Sequence, residues 1–371
     1  MKGFFGKTVR GIVYLFVLGA LLAAAAYVYL LREFGESPSA QEEAAYAALG
    51  YYKNGQFQSP RKVVFYRDRM PGGILSALRF FSRSPNAPDK ALPKVGLDRT
   101  SFPNPPSDYA LYWLGHASAI LELDGKRLLF DPVFCNAAPL PFMVPRYDAP
   151  PLSREDLPPL DYIVITHNHY DHLERRTVRS IAKGRFIVPL GVGAALRGWG
   201  IAPDRITELG WGESFREGSL TLTALEGIHF SSRSFSDRDK TLWAAYVVSS
   251  DQKKIFWSGD TGYGGHFARI GKERGPFDLA ALEIDGWNDA WPLSHLFPKE
   301  AVKAALDLGA RQVLPIHWGV FDLADHPWHE SIDAFLKEAE GKPFQTLTPR
   351  MGERIDSRDV PGDRWWRQPS S

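Results

Sequence analysis

Cysteine is nearly missing from this chain of 371 residues: Cys135 stands alone. No intramolecular disulfide can form, and no thiolate cluster can hold a metal, so any metal must be bound by His, Asp or Glu. The lone thiol fixes no redox compartment, since oxidising and reducing surroundings both tolerate one. A dominant charge is missing as well. Lys and Arg number 44 against 43 Asp and Glu, and no dense basic run occurs, so no field exists to gather nucleic acid. Short-period repeats are absent too, and the length allows one large domain or two ordinary ones.

What is present begins at the N-terminus. "GIVYLFVLGALLAAAAYVYLL", residues 11–31, carries no charge and would span about 30 Å as a helix. Lys2, Lys7 and Arg10 precede it, and Glu33, Glu36, Glu42 and Glu43 follow. Residues 1–31 therefore read as a single-pass membrane anchor, with the N-terminus cytoplasmic and the remainder on the outer, periplasmic or extracytoplasmic, side. A cleaved signal peptide is the competing reading. The small residues of "LAAAA" support it, and the continuation of the apolar run through "YVYLL" opposes it.

Residues 32–107 read as a neck. "GESPSAQEEAAYAALGYY" predicts a short helix ending at Gly50, after which recurring Pro and Gly favour turns and extended chain. Within the neck, residues 72–84 place Ile74, Leu75, Leu78 and Phe81 at helical spacing beside two arginines. That pattern fits a helix lying on a membrane surface or one docked on the domain.

From Tyr109 the text changes to short β-branched and aromatic runs. "YALYWLG", "SAILELD" and "KRLLFD" are followed by "DYIVIT", "RFIVPL", "RITEL", "LTLTAL", "WAAYVVSS", "KKIFWSG", "LAALEI" and "QVLPIH". "DG" at 124 and 125 marks a hairpin. Helical stretches fall near 174–184, 191–199, 266–274, 298–309 and 329–340. Two runs of strands, each followed by helices, predict an α/β sandwich with helices outside, over residues 108–355. A tail, 356–371, follows; Trp365 and Trp366 in it suit either a membrane interface or docking on the domain surface.

The chemistry concentrates in "VITHNHYDHL", residues 164–173. His167 and His169, two apart at the end of a strand, project to one side, while Asp171 and His172 follow as the chain turns towards a helix. The arrangement suits two neighbouring metal ions better than one. Four ligands are too few for two shells, so more are expected at later strand ends. His229 ends "LTLTALEGIH", Asp260 ends "KKIFWSGD" and His317 ends "QVLPIH". Alone, each would be an ordinary loop residue; together they make a metal centre.

This set resembles the metallo-β-lactamase superfamily, whose signature is H-x-H-x-D-H followed by His, Asp and His. The resemblance implies an αββα sandwich with His167, His169 and His229 on one metal, Asp171, His172 and His317 on a second, and Asp260 bridging. All-N/O ligation fits two Zn²⁺, with Mn²⁺ or Fe²⁺ sharing the same ligand types. Around the ligands, "WLGHAS", "FDPVF", "THNHYDHL", "IVPLG", "GDTGY", "GPFDLA" and "IHWG" are similar to the N-acylphosphatidylethanolamine-hydrolysing phospholipase D family, over roughly residues 108–355. That likeness implies phosphodiester hydrolysis of a membrane lipid through a metal-bridging hydroxide, with Asp260, Asp171 and His295 in catalytic roles. His295 would donate a proton or stabilise the phosphate; its bland reading is a solvent-facing loop histidine.

His116 and Asp131 read as supporting residues beside the ligands. His266, His326 and His329 read as solvated helix starts or loops. The chain departs from the family before His229, where "EGI" replaces Pro-x-Gln, and in "EIDGWNDAWPLSHLF", which replaces Ile-Gly-Ala-Tyr-Glu-Pro-Arg-Trp. Both departures face the substrate. Hydrolysis of a lactone, thioester or β-lactam is the alternative activity, and a non-catalytic metal-binding protein the third class. Oligomeric state is not legible.

Overall fold

The computed structural model describes residues 2–70, 84–106, 108–358 and 362–367, with the backbone alone for 2–12. The helix expected at 72–84 lies, except for Ser84, outside the described residues. Helix α1 (Lys2–Phe34) opens the chain. Its segment Val13–Phe34 has a mean hydropathy of 2.2 and is not buried against the rest of the protein. Leu15 and Phe16 are 71% and 78% exposed. Among the described residues only its last turn meets the domain, at Arg32, Glu33 and Phe34; an apolar rod otherwise bare of protein is stable where lipid surrounds it.

Gly35 ends α1. It takes φ +75°, and a Cβ there would meet Ala195 Cβ at 2.8 Å. The position must be both left-handed and bare, which glycine alone satisfies. Ser39 then caps α2 (Ala40–Tyr46) through a capping box with Glu42. A tight hairpin, β1 (Tyr52–Lys53) and β2 (Gln56–Phe57), turns on Asn54 and Gly55, both at positive φ. Tyr46, Tyr52 and Phe57 pack on Leu242 and Trp243, so this part of the neck is fixed to the sandwich.

The first sheet contains β3 (Tyr109–Gly115), β4 (Ser118–Leu123), β5 (Lys126–Phe130), β6 (Tyr162–Val164), β7 (Arg185–Pro189) and β8 (Ile206–Leu209). Antiparallel hairpins join β3, β4 and β5, and parallel pairing carries on to β8. The turn between β4 and β5 sits on Asp124 and Gly125, again with positive φ. The second sheet repeats the plan. Strands β9 (Ser214–Glu217), β10 (Leu220–Leu225), β11 (Ala245–Ser249) and β12 (Lys254–Trp257) are antiparallel, and β13 (Phe277–Glu283), β14 (Ala310–Ile316) and β15 (Gln345–Thr346) continue in parallel. Strand β16 (Arg354–Asp356) returns to the first sheet beside β3.

Strands buried on both faces need apolar residues at nearly every position, and the alternation decides which layer each one fills. Leu111 and Trp113 of β3 point into the space between the sheets with Phe130, Trp257 and Leu282. Tyr112, Ile120 and Leu129 point outward to helices α3 (Arg175–Ser180) and α4 (Val192–Gly198), meeting Val178 and Leu196. Phe130 and Trp257 stack across the sheets at 4.2 Å. Burying each such ring stabilises the fold by about 1.5–3 kcal/mol. Helices α5 (His266–Arg274), α6 (Pro298–Leu308) and α7 (Glu330–Ala339) cover the second sheet. The result is the expected αββα sandwich.

Trp365 and Trp366 dock: they are 1% and 6% exposed, with Trp365 stacked on Trp318 at 5.5 Å. They are part of the core and do not face a membrane. The solvated reading of His266 and His326 needs correction. His266 is 4% exposed because α5 starts beneath Thr261, whose Oγ1 lies 3.3 Å from its Nε2. His326 stacks on Trp287 at 4.5 Å, 3.1 Å from Asp285. His329 does behave as a helix-start residue, paired with Asp333 at 2.8 Å.

Candidate metal centre

Strand ends bring the ligand candidates together. The chain leaves β6 at Val164, and the following turn is pinned by the His169 carbonyl, which accepts from the amides of His172 and Leu173. This folds His167, His169, Asp171 and His172 into one crevice. His229 follows β10, Asp260 follows β12 and His317 follows β14. His167, His169, His229 and Asp260 form one group whose ligand atoms all lie within 4.8 Å of one another, and His116, Asp171, His172 and His317 form another.

Asp260 stands between the groups. Its Oδ2 is 3.2 Å from Nε2 of both His172 and His317, and 3.6 and 3.7 Å from Nε2 of His167 and His229. Within the first group, His169 Nδ1 lies 2.8 Å from His167 Nε2 and 3.3 Å from His229 Nε2. The residues fit a metal. His172 Nε2, His317 Nε2 and Asp260 Oδ1 are buried yet make no hydrogen bond of acceptable geometry among the described residues. Buried imidazole nitrogens converging on one carboxylate without a hydrogen-bond partner of their own are what a ligand set presents.

Other residues set the orientation of the rings. Asp131 Oδ2 accepts from His172 Nδ1 at 2.8 Å and from Thr166 Oγ1 at 2.8 Å, while its Oδ1 accepts from the Thr166 amide. That bond fixes the tautomer of His172 and turns Nε2 towards Asp260. The Ser294 carbonyl does the same for His229 Nδ1, at 2.9 Å. His116 Nε2 donates to Asp171 Oδ2 at 3.1 Å, and its carbonyl accepts from the amide of His317. His116 and Asp131 therefore hold ligand candidates in place, and both adopt positive φ, as does His317. Left-handed backbone at non-glycine residues costs about 1–3 kcal/mol each, and such strain collects at functional sites. Asp131→Asn is expected to weaken retention of a metal at His172 by about 10–100-fold, read by competition with a chromophoric chelator.

Charge at the site follows from burial and the carboxylates. Burial drives His167 well below the ordinary imidazole range, and lowers His169 and His229 to about 3. Burial also opposes protonation of His172 and His317. There the carboxylates win: Asp260 and Asp171 raise His172 well above its usual value and His317 to about 10. Burial works against ionised Asp260 too, but His172 and His317 hold its carboxyl well below the usual range. A cation binding here displaces protons from His172 and His317.

Glu283 is absent from the sequence candidates. It ends β13, one residue before the apolar run "LAALEI" closes, so the strand-end rule that finds His229, Asp260 and His317 points to it as well. Its side chain is fully buried, with Oε1 accepting from the Thr261 amide at 2.6 Å and Oε2 lying 2.6 Å from His295 Nδ1. Burial and the charge of Asp260 raise the Glu283 carboxyl well above its usual value, and burial lowers His295 to about 4. The short contact with Glu283 holds the His295 ring through Nδ1. His295 lies 3.9 Å from Asp260 and is no solvent-facing loop residue.

Residues 126–318 match the family model for the beta-lactamase superfamily domain, and they carry all seven ligand candidates. The chain belongs to the metallo-β-lactamase superfamily. Among its relatives, an uncharacterized protein of Mycobacterium tuberculosis is 42% identical over 270 residues, covering 70% of this chain and 72% of that protein. The N-acyl-phosphatidylethanolamine-hydrolyzing phospholipase D 1 of Caenorhabditis elegans is 33% identical over 292 residues, 73% of this chain and 82% of the other. A metallo hydrolase of the archaeon Ignicoccus hospitalis superposes with a TM-score of 0.53 at 19% identity, over 67% of this chain and 97% of that one. The last likeness concerns the fold. As a superfamily member with His/Asp clusters at its strand ends, this chain is a metal-dependent hydrolase.

Proposed function

We propose that the protein is a membrane-anchored phosphodiesterase of phospholipase D type, acting at two divalent ions on N-acylphosphatidylethanolamine-like lipids and leaving a phosphatidic acid. The observation that carries the two-ion reading is the carboxylate of Asp260, within 3.7 Å of imidazoles from both groups. The lipid is supported by the named activity of the nematode relative and by α1, which would hold the site beside lipid head groups. The His-rich donor set favours Zn²⁺ over Mg²⁺ or Ca²⁺.

His167, His169 and His229 would hold one ion, Asp171, His172 and His317 the other, with Asp260 shared. Bound there, the ions supply Lewis-acid activation of water and of a phosphoryl oxygen. The protein's own groups do the rest. Asp260 orients the water by accepting its hydrogen, Asp171 keeps its carboxylate ionised against His116, and the wall of buried rings excludes competing solvent. His295 would give a proton to the departing oxygen, its ring held at Nδ1 by Glu283.

A second reading, hydrolysis of a lactone, thioester or β-lactam, is favoured by the stretch "EIDGWNDAWPLSHLF", where the sequence departs from the phospholipase D pattern around His295. Purified protein of measured metal content, assayed side by side on N-acylphosphatidylethanolamine, a generic phosphodiester, a lactone and a β-lactam, separates the two. The proposal expects turnover of the phospholipid, falling about 10²–10⁴-fold in His295→Ala and less in Glu283→Gln. Turnover of the lactone or lactam alone refutes it; an unaltered rate in His295→Ala removes that residue's role and leaves the metals.

A further inference from the structure

Burial locates the mouth of the metal centre. His167, His172, His229, Asp260 and His317 are at most 5% exposed, whereas His169, Asp171 and His295 keep part of their surface. Substrate therefore enters on their side. Phe230 stands there, its half-buried ring 4.7 Å from that of His169 and 4.8 Å from that of His229. Two distant segments complete the wall. Phe65, from the neck, meets Phe230 edge-on at 5.4 Å, and Trp291, from the loop that carries His295, lies 6.5 Å from Phe65. The Tyr66 amide donates to the Ala290 carbonyl at 2.7 Å, which ties the neck to that loop.

A cation crowns this wall. The Arg238 guanidinium lies over the rings of Phe230 and Phe65, 4.5 and 5.4 Å from their centroids. The neck hairpin fixes its backbone: Gln56 donates to the Arg238 carbonyl at 3.0 Å, and the Phe57 amide to the Asp239 carbonyl at 2.7 Å. The side chain is 46% exposed, and its one ion pair among the described residues joins Nε to Asp239 at 3.5 Å. Neither Nη group makes a hydrogen bond among the described residues, so a fork of donors is held ready on the rings. Nearby carboxylates are engaged: Asp237 accepts from the amides of Arg233 and Ser234, and Asp285 from Ser331. Arg61, Lys62, Arg67 and Arg69 of the neck outnumber Asp68 and Asp289, which leaves the rim cationic.

Charge at this place selects among head groups. A phosphatidylethanolamine with a free amine carries an ammonium beside its phosphate. N-acylation turns that ammonium into a neutral amide with an acceptor oxygen and leaves the head with a net negative charge. Arg238 repels the first head and donates to the second. Two carbons separate the phosphate from the nitrogen, so a phosphate held at the ions puts the nitrogen one ring's width away, where Arg238 stands across Phe230 from His169. We infer that Arg238 is a specificity-determining residue: it admits N-acylated ethanolamine phospholipids by donating to the amide carbonyl and turns away those with a free ammonium, while Phe65 and Trp291 carry the N-acyl chain. This rests on the phospholipase D reading and deepens it.

The test uses the full, metal-loaded chain in neutral detergent micelles, with dioleoyl phosphatidylethanolamine and its N-acetyl and N-oleoyl derivatives as substrates. The native protein favours the N-acetyl lipid over the free amine by about tenfold or more in kcat/KM, and added salt narrows that gap by screening. Arg238→Gln brings the gap to about twofold or less, through KM, at the metal content of the native chain. Phe65→Ala raises KM for the N-oleoyl lipid about tenfold and for the N-acetyl lipid about twofold or less. Equal native turnover of the acylated and free-amine lipids, or an Arg238→Gln variant that slows both by the same factor, overturns the inference and leaves the phospholipase D reading standing. Turnover of none of the three lipids removes that reading and the inference with it. Should Arg238→Gln not fold, the native chain still decides: a preference that about 0.5 M salt leaves unchanged overturns the role of charge.

Discussion

Asp260→Asn lowers hydrolysis by about a thousandfold or more and reduces the metal retained after dialysis to one equivalent or less per chain. The reasoning is electrostatic. Asparagine keeps the shape of the side chain but removes its charge from a position 3.2 Å from two imidazoles and under 4 Å from two more. At 5% exposure no water compensates. His172 and His317 lose the carboxylate that lifts their affinity for protons and, by the same interaction, for cations. Metal analysis and turnover are measured on the same preparation, with circular dichroism to show that the fold survives. A variant that keeps two equivalents and a tenth of the native rate would remove Asp260 from the shared position.

The second large effect is on stability. Arg233→Ala is expected to cost about 3–6 kcal/mol, a fall in Tm of roughly 10 °C or more. The buried guanidinium satisfies three carbonyls at once: Nε donates to Glu33 at 2.8 Å, and Nη1 donates to Asn168 at 3.0 Å and Leu173 at 2.7 Å. It also lies over the rings of Tyr170 and Trp199, at 4.0 and 4.9 Å. Alanine leaves all three oxygens without a partner in a place water does not reach. Lysine rescues little, since a single ammonium cannot reproduce the fork. Because Asn168 and Leu173 flank the ligands of the first turn, turnover falls together with Tm. A melting curve within 2 °C of the native protein would show that other donors take over.

Much of this architecture was legible in the sequence. Strand runs, the hairpin at Asp124 and Gly125, and the helices from 266 onward appear where periodicity and turn residues put them, since these are local properties of the chain. The seven ligand candidates were legible for a related reason: four follow one apolar run as H-x-H-x-D-H, the other three each end a later run, and the strands deliver these ends to one crevice. The orienting groups were not. Glu283 shares the strand-end position of the ligand candidates but nothing local pairs it with His295, Thr166 reads as an ordinary threonine, and the carbonyl of Ser294 has no sequence signature at all. Their roles come from contacts between distant segments, such as His172 with Asp131 or His229 with Ser294. Arg233 was hidden in the same way, because nothing local says that its partners lie on α1 and after β6. His266 and His326 failed in the opposite direction, as polar residues in loop text that tertiary packing buries.

The division of the ligands between the two sheets has a consequence for biosynthesis. The first sheet supplies His167, His169, Asp171 and His172, and the second supplies His229, Asp260 and His317. A ribosome adding about 5–20 residues per second releases His317 several seconds after His172, so the early half waits with an unfinished coordination set. If these residues hold the ions as proposed, neither set is complete until the later strands have emerged and packed, and a chain truncated before β14 lacks His317.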